Sequence, residues 1–170
     1  MDENSLFKIQ YGMYVISTAY DGKINGQIAT TLMQVTYEPI QISVCLSKTT
    51  YTHELISKSK KFSASVLEQD TPMKFIGNFG FKSGRDIDKF TEINYDTKIT
   101  NCPLITDHTI MNLEAEVVQQ FDIGTHTIFI GRLLGNYLIK EGDAMTYEYY
   151  HTVIRGKSPE GAPTHISKNK

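Results

Sequence analysis

Apolar and polar residues alternate through much of this chain, and that alternation predicts strands. The cleanest run is 40–46, where Ile40, Ile42, Val44 and Leu46 face one side and Gln41, Ser43 and Cys45 the other. Residues 62–67 repeat the pattern, with Phe62, Ala64 and Val66 on one face. Met111, Leu113, Ala115 and Val117 share a face opposite Asn112, Glu114 and Glu116, so both glutamates read as a solvated face. Residues 13–19 are β-rich and stop at Asp21-Gly22, a pair suited to a tight hairpin turn. The next strand reads as 27–35. Residues 127–134 and 136–140 read as two further strands broken at Gly135.

Helical spacing is rarer. One helix is expected from about Thr52, burying Leu55 and Ile56. A second is signalled by Thr71 as N-cap and Pro72 at the first helical position, with Met73, Phe75, Ile76 and Phe79 at helical period and Gly80 as a stop. Residues 86–90 suggest a short third turn. Many short strands with few helices predict a mainly β, antiparallel barrel. The 170 residues suit one domain spanning 1–170, with the basic, proline-containing 155–170 as a tail.

Composition narrows the classes. A net charge of -2 offers no general attraction to nucleic acid or to an anionic membrane. The chain lacks an apolar run of the roughly 18 residues needed to span a bilayer. The acidic, polar start is unlike a secretory signal, and Cys45 and Cys102 lie too far apart for a CxxC pair, so a cytoplasmic protein is expected. The five histidines show no metal-ligand spacing, and neither GxSxG nor GxGxxG occurs.

Three segments carry candidate chemistry. Ser47-Lys48-Thr49-Thr50-Tyr51-Thr52 follows a strand and precedes a helix, whose free N–H groups favour a phosphate, with Lys48 adding a charge. The same residues also suit a plain capped helix. In 27–34, Gln27, Thr30, Thr31 and Gln34 offer donors and acceptors for the polar edge of a ring system, although an exposed edge strand has the same composition. His126, behind Gly124, stands at a strand start, where it suits either a nicotinamide contact or an ordinary surface role. Cys45, on the polar face of its strand, fits a ligand wall or a half-buried filler equally well.

Taken together the motifs are more specific. Asp21-Gly22-x-x-Asn25-Gly26, Ala29-Thr30-Thr31, Pro39 before a strand, Cys45-Leu46-Ser47-Lys48, Thr52-x-x-Leu55-Ile56 and Gly124-x-His126 resemble the flavin reductase-like family over about 7–164. Thr71-Pro72-Met73-x-Phe75-Ile76-Gly77-x-Phe79-Gly80-Phe81 and the ending Tyr147-x-x-Tyr150-His151 resemble its ferric reductase and NADH:rubredoxin oxidoreductase branch. Thr125 stands where that family usually has an acidic residue. The resemblance implies a Greek-key split barrel, homodimeric, holding FMN and taking hydride from NADH or NADPH. By motif position Gln27, Ile28, Ala29, Thr30, Thr31 and Gln34 line the isoalloxazine. Cys45, Leu46, Ser47, Lys48 and Thr52 hold the ribityl chain and phosphate. His126 and Phe81 approach the nicotinamide, while Tyr147 and His151 complete the pocket; none is an obligatory acid or base. Without paired CxxC motifs for iron, an external acceptor is implied: free flavin, a ferric complex or a rubredoxin-like protein. A flavoredoxin-like electron carrier and a flavin-binding barrel without turnover are the alternatives.

Overall fold

The computed structural model describes residues 3–159 and 161–165. A 3-10 helix, Glu3–Lys8, leads into β1 (Tyr14–Tyr20) and β2 (Lys23–Ala29). They pair around Asp21 and Gly22, whose φ values of 51° and 71° form the mirror-image turn that matches strand twist. Next come β3 (Leu32–Tyr37), β4 (Ile40–Ser47), α1 (Tyr51–Ser59), β5 (Lys61–Leu67) and α2 (Met73–Gly80). The short β6 (Tyr95–Asp96) and β7 (Leu104–Ile105) precede the long hairpin of β8 (Thr109–Asp122) and β9 (His126–Leu138), and α3 (Tyr147–Thr152) follows.

Seven strands form one antiparallel sheet in the order β2-β1-β5-β8-β9-β4-β3. Its two outer strands are consecutive in the chain, joined through Thr30 and Thr31, so the sheet curls towards closure and stays split between them. This is the expected split antiparallel barrel. Ile16, Val44, Leu46, Phe62, Ala64 and Phe129 fill the inside of the curl. Met13, Val15, Leu67, Ile76, Phe79 and Met145 form a second core under α2 and α3. Val15 and Ile16 point to opposite faces of β1 and are both fully buried, so β1 is the partition between the cores. Each such side chain contributes about 1.5–3 kcal/mol through burial.

Several expectations need correction. The predicted strand 27–35 is two strands, because Thr30 and Thr31 turn the corner between β2 and β3. The predicted pair 127–134 and 136–140 is one strand: a bulge places Gly135 opposite Glu114 and Leu133 opposite Ala115, absorbing the irregularity without a break. Thr71 does not cap α2. Its hydroxyl donates to Glu68 O at 2.6 Å, and Pro72 takes the N-cap position with no side-chain bond. Residues 86–90 form turns without a helix. Glu114 is fully buried, not solvated. Residues 99–105 cover that face of β8, and the Glu114 carboxylate accepts bonds from Thr100 N–H (2.8 Å), Thr100 Oγ1 (2.6 Å), Ile99 N–H (3.2 Å) and the Tyr137 hydroxyl (2.9 Å). Glu116 is partly exposed and pairs with Arg132 at 2.8 Å. Strand alternation cannot reveal a face that a distant loop covers.

Candidate functional site

A cavity of about 330 Å³ lies where β2, the Thr30 corner, the start of α1, the end of α2 and residues 157–159 and 161–164 meet. Its chemistry is uneven. The side-chain amide oxygen of Gln27 and the hydroxyls of Thr30 and Thr164 are buried in its walls with no hydrogen-bond partner among the described residues. An unmet buried polar group costs about 1–3 kcal/mol. Three such groups around one cavity constitute a set of bonds reserved for a ligand. An amide oxygen only accepts, so Gln27 calls for a ligand N–H; the hydroxyls serve as donor or acceptor.

A second part of the cavity is shaped for an anion. Thr50 caps α1, its Oγ1 accepting from His53 N–H at 3.3 Å, and Thr49 to Thr52 line the cavity at the positive end of the helix. Facing them is the loop of Lys82, Ser83, Gly84 and Arg85. Gly84 is pressed against Asn25: a Cβ there would lie 1.9 Å from Asn25 Oδ1. Asn25 in turn donates from Nδ2 to Thr52 Oγ1 at 2.8 Å, locking β2, α1 and the loop together. Arg85 is held by Thr49 O at 3.2 Å and Glu54 at 3.0 Å, with its guanidinium 5.1 Å from the centre of the Tyr51 ring. Lys89 adds a buried ammonium, its pKa lowered to about 8 by burial.

Residues 157–159 and 161–164 form a third wall. Gly156 lies on the ring of Tyr150, where a Cβ would come within 2.0 Å, and Tyr150 donates to Lys157 O at 3.0 Å. The Tyr147 and Ser158 hydroxyls hydrogen-bond, and His126 Nε2 lies 3.1 Å from Gly161 O. Residues 157–159 and 161–164 of the segment expected to be a tail thus close over the cavity, while 166–170 of that segment lie outside the described residues.

Of the expected site residues, Gln27, Ile28, Ala29, Thr30, Cys45 and Ser47 line the cavity, as do Thr52, Phe81 and Tyr147. Thr31 braces the corner, donating to Cys45 O at 3.1 Å. Leu46 points into the barrel core. Lys48 does not line the cavity and pairs with Asp122 at 2.5 Å. Gln34 is exposed on β3 and does not line the cavity, donating to Thr36 O at 3.1 Å. His151 packs edge-on against Tyr147, ring centres 4.3 Å apart, behind the lining. His126 touches the closing segment rather than the cavity itself. Sequence reasoning gave no site role to Asn25, which it used only as a motif residue, to residues 82–85 individually, to Lys89, or to residues 157–159 and 161–164. The run Lys82-Ser83-Gly84-Arg85 carried a usable signal, two cations around a serine and a glycine. Lys89 carried none.

Residues 6–158 match the family described as flavin reductase like domain. The chain belongs to that family. Among flavin reductase-like relatives, the ferric-chelate reductase (NAD(P)H) of Archaeoglobus fulgidus is 41% identical over 166 residues, covering 98% of each chain. The high molecular weight rubredoxin of Moorella thermoacetica is 44% identical over 164 residues, covering 96% of this chain and 72% of its own. The NADH:FAD oxidoreductase of Streptomyces globisporus C-1027 superposes with a TM-score of 0.77 at 21% identity, covering 87% of this chain and 90% of that one. That likeness concerns the fold alone.

Proposed function

We propose that the protein is an FMN-dependent NAD(P)H oxidoreductase that passes electrons through bound flavin to an external acceptor. The observation that carries this reading is the pairing, in one cavity, of an unmet acceptor at Gln27 with a cationic, helix-capped pocket around Thr50, Arg85 and Lys89. FMN has both complements, an N–H on its ring edge and a phosphate at the far end of a ribityl chain. The NAD(P)H-linked ferric-chelate reductase of Archaeoglobus, 41% identical, supports the same class, and the likeness to the Moorella rubredoxin points to electron transfer. When bound, FMN supplies the redox chemistry, accepting hydride and releasing electrons onward.

The chain's own residues bind, orient and shield. Gln27, Thr30 and Thr164 would hold the polar edge of the ring, while the first turn of α1 with Ser83 would hold the phosphate. Ile28, Ile76 and Phe79 form an apolar wall that excludes water. Burial raises the Cys45 thiol, so it remains protonated at neutral pH and acts as wall rather than nucleophile. The acceptor class, ferric chelate, free flavin or a rubredoxin-like protein, belongs to this proposal, as does a homodimer. Exposed apolar side chains on β3 and the β8–β9 hairpin support the dimer, among them Met33, Tyr37, Phe121 and Leu138. No helix among the described residues is long and apolar enough to cross a membrane. Both cysteines are free, in keeping with a reducing, cytoplasmic setting.

The test is the visible spectrum of the FMN-reconstituted protein under anaerobic addition of NADH and, separately, NADPH. Rapid bleaching by either donor is expected. Bound flavin that neither donor reduces would make the protein an electron carrier, and no flavin binding would refute the reading.

A further inference from the structure

Lys89 is 5% exposed, and its ammonium donates to Gly26 O at 2.9 Å and Phe79 O at 3.2 Å. Those two bonds tie the outer edge of β2 to the C-terminal end of α2. An ammonium has three donors, so one remains, and Lys89 lines the cavity. Among the described residues no carboxylate lies within ion-pair distance of it. A neutral donor would satisfy the two carbonyls without the cost of burying an unpaired charge. The positive charge and the third N–H are surplus to a purely structural tie. Their position is informative as well. Gly26 adjoins Asn25 in β2, and Lys89 lines the same cavity as the first turn of α1 and the 82–85 loop.

We propose that Lys89 is a ligand-binding cation whose counter-ion is the phosphate monoester of the bound flavin. This inference rests on the flavin reading above and goes beyond it, because it assigns FMN-over-riboflavin selectivity to one buried residue. Lys82 and Arg85 are the more obvious cations, yet Arg85 is already engaged by Glu54. Lys89 is the cavity-lining cation that the fold buries without a carboxylate beside it. Burial lowers its pKa only to about 8, which leaves it largely protonated at neutral pH and able to serve.

The experiment compares FMN with riboflavin, which lacks only the phosphate, by fluorescence titration of wild-type, Lys89→Met and Lys89→Gln apoproteins, each checked for folding by circular dichroism. A charge-assisted hydrogen bond of typical strength predicts FMN affinity falling about 10- to 100-fold in the variants while riboflavin affinity stays within about twofold. In the wild-type protein, FMN but not riboflavin should shift the Lys89 ammonium signal in 15N spectra, a readout independent of either variant's folding. Equal losses for the two ligands, no loss for either, or an ammonium signal that ignores the phosphate would overturn the assignment. Wild-type protein that binds neither flavin would instead overturn the proposed function.

Discussion

Burial of Lys89 should leave a signature in the pH dependence of stability of the ligand-free protein. Its folded pKa is about 8 against an ordinary 10.5, with burial as the cause. The unfolded chain therefore keeps this proton up to pH 10.5, whereas the folded chain releases it near 8. Between those values the unfolded state binds more protons, so this group makes stability rise with pH. The gap corresponds to about 3.4 kcal/mol, of which about 2.5 kcal/mol is recovered between pH 7 and pH 10. Tyr14, Tyr150, Cys45 and Cys102 have pKa values raised by burial and act in the opposite direction over alkaline pH. They are common to wild type and Lys89→Met, so they cancel in the difference. Urea unfolding of both apoproteins at pH 7 and pH 10 should show wild type gaining about 2.5 kcal/mol relative to the variant. A difference that stays flat, or that falls with pH, would mean the ammonium is effectively solvated or carries a hidden counter-ion.

Thr30→Val should affect the two states in opposite ways. Apoprotein stability should be unchanged or slightly higher, because an unmet hydroxyl is removed, while FMN affinity should drop about tenfold for one lost hydrogen bond; calorimetry and titration on the same sample read both. Glu114→Gln should cost about 2–4 kcal/mol in urea unfolding by disrupting a four-donor carboxylate site, with FMN affinity unchanged.

The fold was legible where one strand face decides the outcome. Alternation at Ile40, Ile42, Val44 and Leu46 located β4, and the Asp21-Gly22 pair located a turn, because both are local. Misreadings arose where non-local contacts intervene. Glu114 looks solvated until residues 99–105 cover it, and Gly135 looks like a break until its pairing with β8 shows a bulge in β9 itself. The site divides the same way. Gln27, Thr30 and Ser47 are strand and cap residues recognisable by motif, and they line the cavity. Lys48 has the right neighbours in sequence but is drawn off by Asp122, whereas Lys89 enters from a loop 63 residues away from its partner Gly26.

The closing segment also imposes an order on the protein's synthesis. The cavity draws residues from Met13 to Thr164, so the sheet can pair before the site is complete. A nascent chain that has folded through β9 already has the unmet Gln27 and Thr30, but Tyr147, Tyr150 and the residues they anchor have still to emerge. Cofactor retention is thereby a late event, and an N-terminal fragment ending before α3 would lack both the third wall of the cavity and the Tyr147 and Tyr150 rings of the second core.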